Sequence, residues 1–219
     1  MKIKAVLFDC DGLMFETEII AQQIWRDECR RCGIELPADF FTHITGSGQR
    51  MADYIRTIPG LADKYEQIVA KRYDLGFWKS IHTDCLNKKG LIEIFRYLEA
   101  NGYRTGICSS SPKEYILGLL DTVSVPLHYD AMITGDMVRH TKPDPEIFLT
   151  CAQLLKTEPA QCLVLEDSKQ GIAAAHNAGM HSCWIYDTIA ADDEMKRLLE
   201  FKEDSLLDVI PLLEKQAAR

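Results

Sequence analysis

The sequence lacks the features that would place this protein in a membrane or on nucleic acid. No apolar run approaches the ~20 consecutive residues that a helix needs to cross a bilayer. Basic residues are also in deficit, since 25 Lys and Arg stand against 33 Asp and Glu and give a formal net charge of −8. Proteins that bind nucleic acid usually present a basic face to the phosphate backbone. We therefore expect neither a membrane nor a nucleic acid as a partner, and an anionic ligand would need a local basic pocket.

The chain also lacks a cysteine pattern that would indicate a disulfide framework or a zinc site. Its eight cysteines occur in a 219-residue sequence that is 47% hydrophobic, which is enough to form a core without disulfides. Cys29 and Cys32 form one CxxC pair, but no second pair and no nearby His completes a set of zinc ligands. We interpret this pair as structural, with a redox role as the alternative. The first residues, MKIKAVLFDCDG, do not contain the apolar stretch of a signal peptide, so we expect a cytoplasmic protein.

Short apolar runs alternate with helical patterns along most of the chain. The runs are rich in branched residues and predict strands at residues 3–8, 103–108, 131–134, 162–165 and 181–186. Between them, apolar residues recur at helical spacing, and glycines such as Gly102 and Gly179 end the patterns. Strands that alternate with helices predict an α/β fold, a Rossmann-like, doubly wound parallel sheet with helices on both faces.

One long segment interrupts this alternation. Residues 15–84 follow the first predicted strand and contain helical patterns without a convincing strand. We predict a Rossmann-like core of residues 1–14 and 85–219, with an inserted all-α cap of residues 15–84. Such an insertion leaves the sheet beyond the carboxyl end of the first strand, where doubly wound folds bind their ligands. The final segment, 204–219, predicts a closing amphipathic helix.

Polar side chains follow four of the predicted strands. Because the carboxyl ends of parallel strands share one edge of the sheet, we expect these side chains to meet there. In chain order they are Asp9, Asp11 and Gly12; Ser109, Ser110 and Ser111; Lys142; and Glu166 and Asp167. Carboxylates brought together repel one another unless a hard cation such as Mg²⁺ lies among them. A single cluster of this kind is equally well explained by turns and helix caps, but four clusters in this order favour a site.

The same segments resemble the haloacid dehalogenase superfamily, in particular its β-phosphoglucomutase-like phosphatase branch with a helical cap. The similar segments are VLFDCDGLMFETE at 6–18, GICSSSP at 106–112, HTKPDPEIF at 140–148 and LVLEDSKQGIAAAHNAGM at 163–180. The resemblance implies that Asp9 is a nucleophile and Asp11 a general acid and base, while Ser109 and Lys142 hold the phosphate. It also implies a Mg²⁺ cofactor, whose ligands would be Asp9, Asp167 and the backbone carbonyl of Asp11, with Glu166 as a ligand or beside the ligands.

Candidate substrate-binding residues are Gly12, Ser110 and three residues of the loop TGSGQR at 45–50: Ser47, Gln49 and Arg50. This loop matches the substrate-specificity loop of the family in position. The alternative is a flexible turn between two helices with a solvated Arg50. Thr17, before the first cap helix, either serves the site or only caps that helix.

Three chemistries compete within the family. Dehalogenases lack the second aspartate, so Asp11 favours phosphoryl transfer. A β-phosphoglucomutase has a cap His and Arg where this chain has Ala21 and Gln49. We therefore expect a Mg²⁺-dependent phosphatase that hydrolyses a small phosphorylated metabolite, such as a sugar phosphate, through an aspartyl-phosphate. A phosphosugar mutase, in which Arg50 replaces the missing Arg, and a non-catalytic phospho-ligand-binding protein are the alternatives; a monomer is favoured.

Overall fold

The computed structural model describes residues 2–44, 50–188 and 190–217, with only the backbone described for residues 50–52. Six parallel strands form one sheet with the order β3-β2-β1-β4-β5-β6. The strands are β1 (Ala5–Phe8), β2 (Arg104–Ser109), β3 (Ala131–Thr134), β4 (Cys162–Glu166), β5 (His181–Ile185) and β6 (Phe201–Glu203). The first five match the predicted strands, and the α/β doubly wound fold class is confirmed.

The strand β6 was not predicted from the sequence. It is an edge strand of three residues, and its side chains are exposed or half-buried. Such a segment carries almost no apolar periodicity, so the pattern that identifies the other strands is absent here. The predicted closing helix is present over Val209–Ala217, after one turn of 3₁₀-helix at Leu206–Asp208.

Within the described part of residues 15–84 there are five α-helices, one turn of 3₁₀-helix at Ala62–Lys64 and no strand. The α-helices are α1 (Thr17–Arg31), α2 (Phe40–Ile44), α3 (Arg50–Arg56), α4 (Tyr65–Arg72) and α5 (Leu75–Lys79). Most of them share an apolar cluster of their own, centred on Trp25, Phe40 and Ile68. Cys29 is buried in this cluster, and its thiol and that of Cys32 are free. We refer to residues 15–84 as the cap; its exact boundaries stay a prediction.

The remaining helices cover both faces of the sheet. They are α6 (Leu91–Ala100), α7 (Lys113–Leu120), α8 (Glu146–Leu154), α9 (Lys169–Asn177), α10 (Asp193–Leu198) and α11 (Val209–Ala217). Successive side chains of β1 point to opposite faces of the sheet. On one face, Val6 and Phe8 pack with α6, α7 and α11. On the other face, Ala5 and Leu7 pack with α8 and α9. No described helix is long and apolar enough to cross a membrane.

The cap joins the core through two chain segments that lie side by side. Phe15 and Asn87 form an antiparallel bridge, and backbone hydrogen bonds of 2.8 and 3.0 Å between residues 14–16 and 86–88 flank it. We call this pair of segments the connecting ribbon. It begins only a few residues after the carboxyl end of β1, so the cap is attached directly beside that edge of the sheet.

Candidate functional site

The sheet order brings the predicted polar residues to one edge. In the sheet, β1 lies between β2 and β4, and Phe8 at its end is level with Ile107 and Leu165. The next residue, Asp9, continues the strand far enough for its N–H to donate to the carbonyl of Leu165 at 3.0 Å. Side chains from three neighbouring strands therefore emerge together at their carboxyl ends, as predicted from the sequence.

Asp9, Glu166 and Asp167 form an acidic cluster in which one carboxylate oxygen from each residue lies within 4.8 Å of the others. All three residues are buried. Burial raises the pKa of Asp9 to about 8, although the charge of Lys142 acts in the opposite direction. Burial also raises the pKa of Asp167 well above its ordinary value, and the charges of Glu166 and Asp9 add to this shift. Burial and mutual repulsion therefore disfavour the ionised forms of Asp9 and Asp167.

Among the described side chains, Lys142 is the cation that contacts this cluster. Its Nζ donates to Oδ1 of Asp9, to Oε1 of Glu166 at 2.6 Å and to the backbone carbonyl of Cys108 at 3.0 Å. Burial disfavours the charged amine, but the charges of Asp9 and Glu166 outweigh that effect and raise the pKa of Lys142 above its ordinary value. Lys142 therefore stays charged and fixes two of the three carboxylates.

Glu166 is fully buried and is hydrogen-bonded on both oxygens. Oε1 accepts from Lys142, while Oε2 accepts from the N–H groups of Asp167 (3.1 Å) and Ser168 (3.0 Å) and from the Ser168 hydroxyl (2.9 Å). The first turn of α9 makes room for it at Gly171, where a Cβ would lie 1.8 Å from the carboxyl carbon of Glu166. With both its oxygens engaged, Glu166 leaves Asp9 and Asp167 as the carboxylates that can turn to a ligand.

Asp11 lies apart from the acidic cluster and is held by three hydroxyl groups. Its Oδ1 accepts from Thr17 (2.8 Å) and Tyr115 (3.0 Å), and its Oδ2 accepts from Ser111 (2.6 Å). Thr17 belongs to the cap, whereas the other two donors belong to the core. The interpretation of Thr17 as a helix cap is wrong, because Glu16 occupies the N-cap position of α1.

The other candidate residues differ in how closely they approach these groups. Ser109 is buried, and its Oγ accepts from the N–H of Ser111 at 3.1 Å, whereas Ser110 is exposed. Gly12 has φ +77°, and a Cβ there would lie 2.2 Å from Oδ2 of Asp167. The backbone at this turn therefore requires glycine for both conformation and space.

The candidate residues of the cap loop lie largely outside the residues that the structure describes. Ser47 and Gln49 are not among the described residues, and Arg50 begins α3 with its side chain undescribed. Their assignment to substrate binding stays a prediction.

Two ion pairs near the site were not predicted. Arg72, at the end of α4, donates to Glu18 at 2.9 Å, and its Nη2 lies 3.8 Å from Oδ1 of Asp11. Lys88, in the connecting ribbon, donates to Asp187 at 2.7 Å. In the sequence, the apolar pattern of α4 does not distinguish Arg72 from an arginine that is exposed to solvent. Asp187 did carry a signal, because it directly follows a predicted strand as Asp9 does.

Comparison with known proteins agrees with this geometry. A model of the haloacid dehalogenase-like hydrolase family matches residues 6–185. A phosphorylated carbohydrates phosphatase of Thermotoga maritima is 27% identical over 222 residues, which cover 95% of this chain and 98% of that protein. The fructose-1-phosphate phosphatase YqaB of Escherichia coli is 29% identical over 177 residues, which cover 80% of this chain and 92% of that protein.

Solved structures share the whole fold. The crystal structure of a β-phosphoglucomutase from Clostridium difficile superimposes with a TM-score of 0.77 at 20% identity, covering 99% of this chain and 100% of that one. The family match spans both the strand that carries Asp9 and the strand that carries Glu166. This chain belongs to the haloacid dehalogenase-like hydrolase family and is a hydrolase of phosphoric monoesters.

Proposed function

We propose that this enzyme is a Mg²⁺-dependent phosphatase of small phosphorylated metabolites, sugar phosphates among them, and that it works through an aspartyl-phosphate on Asp9. The observation that carries the proposal is that Asp9 and Asp11, although only two positions apart in the sequence, lie in different surroundings. Asp9 lies in the acidic cluster against Lys142, while Asp11 is held outside it by three hydroxyl groups. This arrangement supports Asp9 as the nucleophile and Asp11 as the group that transfers protons.

The acidic cluster fits a hard divalent cation. Its donors are carboxylate oxygens, which Mg²⁺ prefers, and three ionised carboxylates would carry more negative charge than Lys142 alone offsets. Asp9, Asp167 and the backbone carbonyl of Asp11 would hold the ion, and Glu166 would act beside them because its own oxygens are engaged. When bound, Mg²⁺ would neutralise charge on the phosphoryl group and help to orient it for attack.

The first half of the reaction uses both aspartates. An oxygen of Asp9 bonds to phosphorus as the bond from phosphorus to the leaving oxygen breaks, and Asp11 gives its proton to that oxygen. Lys142 and the hydroxyl of Ser109 bind the remaining phosphoryl oxygens. Lys142 already contacts Asp9, so the same amine orients the nucleophile and stabilises the transferred group.

The second half regenerates the enzyme. Water bonds to phosphorus while the bond between phosphorus and Asp9 breaks, and Asp11 takes the proton that the water loses. Free phosphate leaves, Asp9 is again a carboxylate and Asp11 is again protonated. Hydrogen bonds from Thr17, Ser111 and Tyr115 hold the carboxylate of Asp11 in one orientation for both proton transfers.

The choice of phosphatase over mutase rests on relatives and on the cap. The two relatives named above are phosphatases of phosphorylated carbohydrates and of fructose 1-phosphate. In the cap, Ala21 is buried and its methyl side chain offers no hydrogen bond to a second sugar group. A mutase needs a cap that grips the sugar while the phosphoryl group waits on the enzyme.

Phosphate release from p-nitrophenyl phosphate and from a panel of sugar phosphates and nucleotides tests the proposal. The enzyme is stripped with EDTA and then titrated with Mg²⁺, and we expect activity to disappear and return. Asp9→Asn should reduce turnover to the uncatalysed level with an unchanged circular dichroism spectrum, since an amide of nearly the same shape is a poor nucleophile. Full activity in EDTA, or in Asp9→Asn, contradicts the proposal.

A further inference from the structure

Asp187 is a buried carboxylate to which the reaction described above gives no role. It follows β5, two strands away from β1, and its side chain is only 3% exposed. Its Oδ1 accepts a hydrogen bond of 2.7 Å from Lys88. Its Oδ2 is buried and has no hydrogen-bond partner within the described part of the chain. A buried acceptor without a donor destabilises a fold, so this oxygen calls for an explanation.

The free oxygen of Asp187 faces the acidic cluster. A Cβ built on Gly12 would lie 2.9 Å from Oδ2 of Asp187 and 2.2 Å from Oδ2 of Asp167. Both oxygens therefore lie on the side of Gly12 where a Cβ would project, in space that only a glycine leaves open. Two carboxylates that share such a space repel each other unless a donor or a cation lies between them.

We propose that Asp187 is an outer member of the metal site. Its Oδ2 accepts a hydrogen bond from a water molecule in the hydration shell of the Mg²⁺ that Asp9 and Asp167 hold. Mg²⁺ usually keeps several waters, and each of these waters is a strong hydrogen-bond donor. This inference rests on the metal site of the proposed function and assigns that site a residue from a further strand.

Lys88 engages the other oxygen of the Asp187 carboxylate. Its Nζ contacts Oδ1 of Asp187 at 2.7 Å and Oε2 of Glu16 at 3.2 Å, so it occupies one side of the Asp187 carboxylate and leaves the other side to the metal site. Outer residues that hydrogen-bond the ligands of a metal typically change its affinity by ~10–100-fold when they are replaced.

The variant Asp187→Asn tests whether Asp187 accepts a hydrogen bond at the metal site or serves only as the ion-pair partner of Lys88. The amide oxygen must face Lys88, which only donates, so the NH₂ group would face the metal site and could no longer accept from water. Lys88→Met is the matched control, because it removes the same ion pair and keeps the carboxylate. Binding of Mg²⁺ to the EDTA-stripped proteins is measured by isothermal titration calorimetry, and binding of Mn²⁺ by electron paramagnetic resonance.

We expect Asp187→Asn to raise the Kd for Mg²⁺ by ~10–100-fold, and Lys88→Met to change it much less. An unchanged Kd in Asp187→Asn, or equal losses in both variants, overturns the inference and leaves the proposed function standing. Failure of the parent protein to bind Mg²⁺ overturns both. If Asp187→Asn does not fold, the double variant Asp187→Ala/Lys88→Met, which removes both partners, is compared with Lys88→Met, and the same loss of affinity is expected.

Discussion

Thr17, the first residue of α1, donates a hydrogen bond of 2.8 Å to Asp11, so a cap residue holds the carboxylate that the proposed mechanism uses for proton transfer. We predict that Thr17→Val lowers kcat by ~10-fold or more with little change in KM, since a hydrogen bond to a charged group contributes ~1.5–3 kcal/mol. Thr17→Ser keeps the hydroxyl group and should retain most of the activity. Steady-state kinetics on the best substrate measures both, and a parental kcat in Thr17→Val would count against this role.

Gly171 should tolerate no side chain, because a Cβ there would lie 1.8 Å from the carboxyl carbon of Glu166. We predict that Gly171→Ala destabilises the protein by ~1–3 kcal/mol, the usual cost of overpacking, and lowers activity by displacing Glu166 from Lys142. Urea unfolding measures the free energy. Gly118→Ala is the control, because its Cβ would meet the ends of two flexible side chains, Cδ2 of Leu75 at 2.7 Å and Cε of Lys79 at 3.7 Å. Equal stability of the two variants would refute this explanation.

Asp130 should make the stability of the fold depend on pH. Partial burial opposes its ionisation, but hydrogen bonds from the N–H of Thr105 (2.9 Å) and from Arg104 (2.8 Å) outweigh this and hold the pKa of Asp130 below its ordinary value. A carboxylate of this kind stabilises the fold above its unfolded pKa of ~3.9, and that contribution is lost as the pH falls through the lower folded pKa.

We therefore predict that Asp130→Asn lowers the free energy of unfolding by ~1 kcal/mol at pH 7. The difference from the parent should narrow as the pH falls below ~3.9 and through the lower folded pKa of Asp130, where the parent's side chain also becomes uncharged. Asp121→Asn is the control, because Asp121 is 68% exposed in its pair with Lys79 and such pairs contribute little. A loss in Asp130→Asn that is independent of pH would contradict the prediction.

The proposed phosphatase should release phosphate much faster than it isomerises a sugar phosphate. With β-glucose 1-phosphate and the corresponding bisphosphate as primer, we expect little glucose 6-phosphate in a coupled dehydrogenase assay and net phosphate release in the same sample. The reason is Ala21, whose methyl group cannot hold a sugar hydroxyl while the phosphoryl group stays on Asp9. Isomerisation that outruns phosphate release would favour the mutase and direct attention to Arg50.

The acidic cluster could be predicted from the sequence because the order of strands in a parallel sheet determines where its residues lie. Asp9, Glu166 and Asp167 each come at or just after the end of a strand, and a parallel sheet aligns those ends whatever the details of packing. The strand β6 was missed because three half-exposed residues give no apolar period. The same absence of a pattern hides short edge strands in general.

The residues that surround Asp11 could not be predicted from the sequence in this way. Tyr115 occupies a buried position in α7, and its pattern predicts a core residue; that its hydroxyl reaches Asp11 depends on how α7 packs against β1. Arg72 likewise owes its place to the way α4 meets α1 through Glu18. These contacts depend on how two helices or a helix and a strand pack together. The spacing of apolar residues along a single helix does not predict that packing.

The connecting ribbon gives the cap a narrow hinge, and the donors to Asp11 lie on both sides of it. Any rotation of the cap about the ribbon would move Thr17 relative to Ser111 and Tyr115, whereas Asp9 and Lys142 contact each other within the core. The position of the cap and the orientation of the proton-transfer group are then thermodynamically linked. A substrate that contacts both the cap and the core would therefore stabilise the orientation of Asp11 that these three hydrogen bonds define.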